Sequence, residues 1–497
     1  NFTLNGGRNE YAIMGWFYRA AYDYKGKYLA EVNGRYDGTS RFPRGKRYGF
    51  FPSFSAAYRI SEEAFFEPLR KTVDNLKIRL SYGSLGNQQI GYYDFIQTIT
   101  TKGSMGDYSF DGTILGQHAT VSDPVSGNQT WEKVISKNLG ADLNMFSNRL
   151  SLTADFYIRD TKGILGKGKS LPSIYGANEP QVNSNNLRTK GYELVLGWRD
   201  SFKLAGSTFS YGITGTFSDY TAEYTKCDNP SGLIGGPYVG KKYGEIWGYK
   251  VDGLFRNDEE AAEYASRVDL SKVAAGYYSA TGAYGKGVRG GDIKYLDLDG
   301  SGIVDGGKGT LEDPGDRRVI GNSSPRYQYG LTLNLSWYGF DLSVFMQGIG
   351  RLDWYPGADN LRFWGPYSRP YATFIPKNFM SQVWSESNPD AYLPRARAYT
   401  SLNSTQGTAY YTNDRYLQNL AYCRLKNLTL GYTIPKRLTS KVGIKECRVY
   451  FSGENLATWS ALKNDFLDPE QAAADSDKKS NVYPWCRTYS VGLNLTF

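Results

Sequence analysis

Histidine is nearly missing from this 497-residue chain, which holds only His118. Histidine-based nucleophilic and metal chemistry is therefore almost closed off, because a single imidazole is all the chain can offer to it. His118 itself lies in a Gly-rich loop stretch and reads as a solvated loop residue. Cysteine is scarce as well. Cys227, Cys423, Cys447 and Cys486 are too scattered for a zinc site or a CxxC redox pair. No apolar run reaches the roughly 18 residues of a membrane-crossing helix, and mean hydropathy is −0.50. A phosphate-cradling GxxxxGK[ST] loop is also lacking. The 58 Lys+Arg against 49 Asp+Glu leave a charge of +9 spread along the chain without a basic cluster, which argues against nucleic acid as a partner. Residues 1–10 are polar and run into strand-like sequence with no leader pattern, as expected of a mature or truncated piece.

What the chain has in quantity is Gly (57), Tyr (42) and Phe (24), with aromatics at 15%. That composition excludes a disordered tail and a disulfide miniprotein. Period-two alternation recurs throughout, the mark of strands with two unlike faces. Leu331, Leu333, Leu335 and Trp337 alternate with Thr332, Asn334 and Ser336; after Tyr338-Gly339 the pattern resumes as Phe340, Leu342, Val344 and Met346, which predicts a hairpin. A second hairpin is expected from Leu139–Asn144 and Leu150–Ile158, turning around Met145-Phe146. Further strands are expected at Tyr18–Tyr24, Tyr28–Tyr36, Phe50–Ile60, Leu76–Tyr82, Tyr192–Trp198, Phe209–Phe217, Leu425–Tyr432 and Val449–Glu454. The total comes to roughly 14 to 16 strands at this spacing.

The second face often carries Gly, Ser, Asn and Thr, while Tyr and Trp recur near strand ends. A soluble sandwich would place Lys and Glu there instead. The expected fold class is therefore all-β, a transmembrane antiparallel barrel with aromatic girdles and a polar interior. Short turns alternate with long stretches, notably Tyr220–Ser324 and Gly350–Asn419, as expected of long outer loops opposite short inner turns. Within the first of these, Asn257 is expected to cap a helix with Glu260 at its third position, running through Glu263 and Tyr264.

Several stretches resemble SusC-like TonB-dependent transporters, the outer-membrane nutrient importers of Bacteroidetes. They are Asn33–Phe42, Leu76–Asn87 (LKIRLSYGSLGN), Arg149–Lys162 (RLSLTADFYIRDTK), Asp316–Gly321 (DRRVIG), Arg424–Pro435 (RLKNLTLGYTIP) and Val449–Leu456. The resemblance covers essentially residues 1–497 and implies the C-terminal portion of a roughly 22-stranded barrel. The plug and the TonB-contacting region of such a protein are not in this sequence, so the chain alone should not close. It further implies TonB-dependent uptake of oligosaccharides, or alternatively oligopeptides, with no enzymatic activity. The implied partners are a SusD-like surface lipoprotein in a dimer of heterodimers, TonB acting through the N-terminal part, and outer-membrane lipid. The terminal strand, Tyr489, Val491, Leu493, Leu495 and Phe497, would serve as the assembly signal.

Two local motifs stand out. Asp297, Asp299, Ser301, the carbonyl of Ile303, and Asp305 fall at the first, third, fifth, seventh and ninth positions of a calcium-type loop. Its twelfth position is Lys308 where Glu is usual, so Glu312, Asp313 or Asp316 would have to close it; Asp313 is included in the expected ligand set, and Ca²⁺ would be structural. The second motif is aromatic: Trp354, Tyr355, Asn360, Arg362, Phe363, Trp364, Tyr367, Arg369 and Tyr371. Flat rings beside Arg and Asn suit a sugar or peptide ligand, and equally suit a miniature loop core. Two rivals follow from the same pattern, a soluble β-sandwich adhesin and a secreted carbohydrate-active protein.

Overall fold

The computed structural model describes residues 6–103, 109–110, 113–114, 117–169, 171–278, 287–368, 371, 375–397, 402, 407–464, 467–474, 483 and 485–497. The side chain of His118, read above as a solvated loop residue, lies outside the described residues, as does Arg369. The chain divides into two units, Asn1–Glu193 with Tyr220–Pro230 and Pro237–Lys242, and Leu194–Asp219 with Ser231–Gly236 and Tyr243–Phe497.

In the first unit, β1 (Ile13–Tyr24), β2 (Tyr28–Thr39), β3 (Tyr48–Arg59), β4 (Val73–Asn87), β5 (Glu132–Met145), β6 (Leu150–Lys167) and residues 181–193 of β7 (Gln181–Leu204) follow one another as hydrogen-bonded neighbours. In the second, the order is residues 194–204 of β7, residues 207–219 of β8 (Ser207–Lys226), β9 (Arg326–Trp337), β10 (Phe340–Arg351), β11 (Tyr422–Thr433), β12 (Glu446–Ser460) and β13 (Thr488–Thr496). Every sequence-expected strand falls on one of these thirteen. Sequence neighbours pair antiparallel because each link is a reversal; Leu331 faces Met346 and Trp337 faces Phe340 in the expected hairpin.

Register keeps the two faces distinct. Tyr22, Ala30, Ala56, Leu80 and Leu139 stand side by side across β1 to β5. Tyr22 is 65% exposed and Leu80 54%, so this apolar face has no protein layer over it in its own unit. Rings gather at both ends of that face. Tyr28 stacks on Tyr58 at 5.1 Å beside Tyr24, while Tyr36 stacks on Tyr48 at 5.4 Å beside Trp16. Trp16 and Tyr24 are separated by about 27 Å along the strand at ~3.4 Å per residue, comparable with the roughly 25 Å apolar band of membrane barrels.

The opposite face carries the charges, in pairs. Arg19 meets Glu31 at 2.8 Å, and Lys77 and Arg79 meet Asp142 at 2.8 and 3.0 Å. Arg79 also reaches Asp155 at 2.9 Å, two strands away, passing above Gly140, the residue opposite both. A Cβ on Gly140 would sit 2.5 Å from Asp155 Oδ1 and 2.7 Å from Arg79 Cζ. Hydrogen in place of a side chain is what lets the pair close over the strand. The second unit repeats the device: Arg448 pairs with Asp341 at 2.6 Å over Gly431, where a Cβ would lie 2.5 Å from each partner.

Links fall into two sets, one at each end of the strands. In the first unit, the tight turns 25–27 and 146–149 share one end with the longer 60–72, while 40–47, 88–131 and 168–180 lie at the other. In the second, 205–206, 338–339 and 434–445 alternate with the long 352–421 and 461–487, and residues 243–325 precede β9. Both outer strands are bare: all twelve residues of β1 are exposed, and eight of nine in β13.

Filling the space over Gly140 should cost more than filling open space. Gly140→Ala is expected to destabilise by about 1–3 kcal/mol, read as a lower temperature for loss of the compact form on gels, whereas Gly212→Ala, whose nearest atoms lie at 3.8 Å, should leave that temperature unchanged.

Candidate functional site

The long loops of the second unit fold on a core of their own. Short strand pairs frame it: Glu245–Tyr249 with Arg317–Asn322, Val251–Leu254 with Ile293–Tyr295, and Asp353–Trp354 with Gln418–Asn419. The expected helix is present as α1 (Asp258–Arg267). Asn257 caps it by accepting from Glu260 N at 2.8 Å, and Glu260 returns a bond from Arg256 N at 2.7 Å. Around these, Phe255, Leu270, Val273, Tyr277, Ile293, Tyr295, Val304, Trp364, Tyr416 and Leu420 are fully buried.

The aromatic motif enters this core. Trp354, Tyr355, Trp364 and Tyr367 are 0–7% exposed, and Asn360 is fully buried. Asn360 accepts from Phe363 N at 3.0 Å and so caps the short helix Leu361–Trp364. Trp364 packs edge-on against Phe363 at 4.8 Å and lies 5.0 Å from Tyr416. Of the two readings offered by the sequence, the rings lie as a loop core would have them, because a loop this long must bury apolar surface of its own to hold a shape. Of the described members, Arg362 and Tyr371 are exposed.

Hydrogen bonds fix the rings. Asn413 Nδ2 donates to Tyr355 Oη at 3.1 Å and to the Tyr411 carbonyl at 2.9 Å, while Tyr295 Oη donates to the Thr408 carbonyl. Burial pushes Tyr249 and Tyr392 each up to about 12, and Tyr295 and Tyr355 well above the usual phenol range. The hydroxyls of Tyr295, Tyr355 and Tyr392 are thus held protonated at neutral pH and take part in hydrogen bonds within the core.

The acidic loop gathers three carboxylates, Asp297, Asp299 and Asp316, whose oxygens lie within 4.8 Å of one another. Of the expected ligand set, this cluster holds Asp297 and Asp299. Asp305 and Asp313 stand outside that cluster, and the Ser301 hydroxyl lies 3.0 Å from the Ile303 carbonyl. Asp316, one of the residues considered for closing the loop, takes the place given to Asp313. It accepts from Leu298 N at 2.6 Å and Asp305 N at 2.9 Å, and Asp297 accepts from Gly300 N and Gly302 N at 2.9 Å each. Each carboxylate oxygen keeps a second lone pair, so the trio fits a hard cation. The Ser301 hydroxyl and backbone N–H hold Asp299 below its ordinary range, and burial raises Asp316 above it.

Two charged clusters were invisible in the sequence. Arg397 and Asp292, 7% and 1% exposed, form a two-point ion pair at 2.9 and 2.5 Å, with the guanidinium 4.1 Å from the Tyr277 ring centre. Arg424, 1% exposed, binds Asp468 at 2.5 Å and Glu470 at 2.8 Å, tying the helix Pro469–Ala474 to β11. Both join residues far apart in the chain, and no local spacing signals them.

Breaking one side of a buried pair strands the other charge. Arg397→Met is expected to loosen the loop by about 3–5 kcal/mol, seen as faster limited proteolysis, and the double variant Arg397→Met with Asp292→Leu should recover most of that loss.

Comparison with known proteins places these features. A family model described as TonB dependent receptor-like, beta-barrel, matches residues 1–456. The chain is 27% identical to TonB-dependent receptor P3 of Formosa agariphila over 98% of its own length and 46% of the relative's. It is 23% identical to TonB-dependent receptor SusC of Bacteroides thetaiotaomicron, over 98% and 44%. In fold it is similar to the structure of the RagAB peptide transporter, with a TM-score of 0.72 and 21% identity, over 98% of this chain and 48% of that one. The chain spans about half the length of the curated relatives it matches. With its antiparallel, two-faced strands and its family model covering most of the sequence, the chain belongs to the TonB-dependent receptor-like β-barrel family.

Proposed function

We propose that this chain forms the wall and loops of a TonB-dependent outer-membrane importer that takes up oligosaccharides with a SusD-like lipoprotein. The observation that carries the reading is the split between the two faces. An uncovered apolar face edged by stacked rings suits lipid, and a face of paired charges suits a wet interior. The bare edges of β1 and β13 suit pairing with further strands of the same molecule, since a membrane tolerates no open edge. On this reading the loop core of the second unit faces outward beneath the lipoprotein, and TonB acts through the rest of the protein.

Oligopeptides are the second reading. It draws on the name of the RagAB peptide transporter and on the burial of the rings that would stack on sugars. Purifying the full-length protein from outer membranes with its partner and identifying trapped ligand by mass spectrometry separates the two. Uptake of the identified ligand should fall to background when TonB is deleted; uptake independent of TonB would overturn the proposal.

The Asp297, Asp299 and Asp316 trio is proposed as a structural Ca²⁺ site. Chelation should speed proteolysis within residues 297–316, added Ca²⁺ should reverse it, and Asp316→Asn should remove the difference between the two conditions. A loop whose cleavage ignores chelator would sink this assignment.

A further inference from the structure

The link between β3 and β4 stands apart from its neighbours. The links 25–27 and 146–149 at the same end of the first unit are tight turns, whereas 60–72 folds into two short 3-10 helices, Ile60–Glu62 and Ala64–Leu69. Phe66 is 5% exposed and pins the segment to the protein, yet Phe65 and Leu69 are 70% and 55% exposed. Two bulky apolar side chains held outward on a rigid link need a reason.

Their location supplies one. Glu63, just before Phe65, accepts a hydrogen bond from Tyr28 Oη at 2.7 Å and pairs with Lys27 at 3.1 Å. Tyr28 belongs to the ring stack that edges the apolar face, 5.1 Å from Tyr58. The link is therefore fastened to the rim of the lipid-facing surface and continues it past the strand ends. Arg70 and Lys71, both exposed, follow directly and place cations beside the apolar pair. The second unit carries a similar arrangement: the link 434–445 follows the Phe340–Tyr432 ring contact, exposes Leu438 at 52%, and flanks it with Lys436, Arg437 and Lys441.

From this geometry we infer that the 60–72 link is an interfacial anchor. Phe65 and Leu69 insert at the glycerol level of the membrane leaflet at the short-turn end, with Arg70 and Lys71 toward phospholipid phosphates. The inference rests on the barrel lying in a membrane and adds to it a contact outside the strands.

The test uses the full-length wild-type protein in vesicles of phosphatidylethanolamine and phosphatidylglycerol. Two photoreactive phospholipids are compared, one with a diazirine near the glycerol and one at the acyl terminus, and adducts are mapped by mass spectrometry. The shallow probe should label Phe65 and Leu69, and the deep probe should label Val32 and Leu80 but not Phe65. In a Phe65→Ser, Leu69→Ser variant, shallow adducts within 60–72 should fall at least about five-fold, since a polar side chain loses the transfer energy of insertion. Strand labelling with no adduct on Phe65 or Leu69 would overturn the anchor alone. Failure of the deep probe at Val32 and Leu80 as well would overturn the membrane reading and the anchor with it.

Discussion

Hydrocarbon offers no hydrogen bond, so every backbone amide that crosses it has to find its partner inside the protein. That constraint accounts for the antiparallel ladders within each unit, which depart from regular register only locally, as between Val73 and Asn75 and between Phe345 and Met346. It also explains why the pattern of side chains is so legible. Once the backbone is fully committed to ladders, only the two faces remain free to answer to their surroundings, and they alternate residue by residue.

Close approach is the recurring solution on the inner face. Arg79 and Asp155 meet over Gly140, and Arg448 and Asp341 meet over Gly431, each linking strands that are not neighbours. Such pairs stitch three strands with one contact and keep half-buried charge matched to charge. The loops obey a different logic. Lacking a sheet to lean on, residues 243–325 and 352–421 build a core from rings, and the buried Asp292–Arg397 pair holds two of its distant segments together.

The strands were readable from alternation alone wherever one face is apolar, as at Leu331–Trp337. Their ends were less so. β6 runs on to Lys167, beyond the expected Ile158, and β5 begins at Glu132, ahead of Leu139, because those extensions carry charged or polar residues on both faces and lose the contrast that period two depends on. In the acidic loop, Asp297 and Asp299 were legible by spacing, but the third carboxylate, Asp316, is brought in by a fold of the loop that no fixed spacing encodes. The composition of the aromatic motif was equally plain in sequence. Its direction was not, since a ring that stacks on a ligand and a ring that fills a core have the same chemistry until Asn360 and Tyr416 are placed around it.

Charges that cancel within the sheet also have a consequence for whatever passes by. With Arg79 engaged by two aspartates and Arg19 by Glu31, the wall presents short-range dipoles in place of bare ions, and their field fades over a few ångströms of water. A solute moving along such a surface meets neither a deep electrostatic trap nor a tall barrier. On the importer role proposed above, discrimination between cargoes would then fall to the loops.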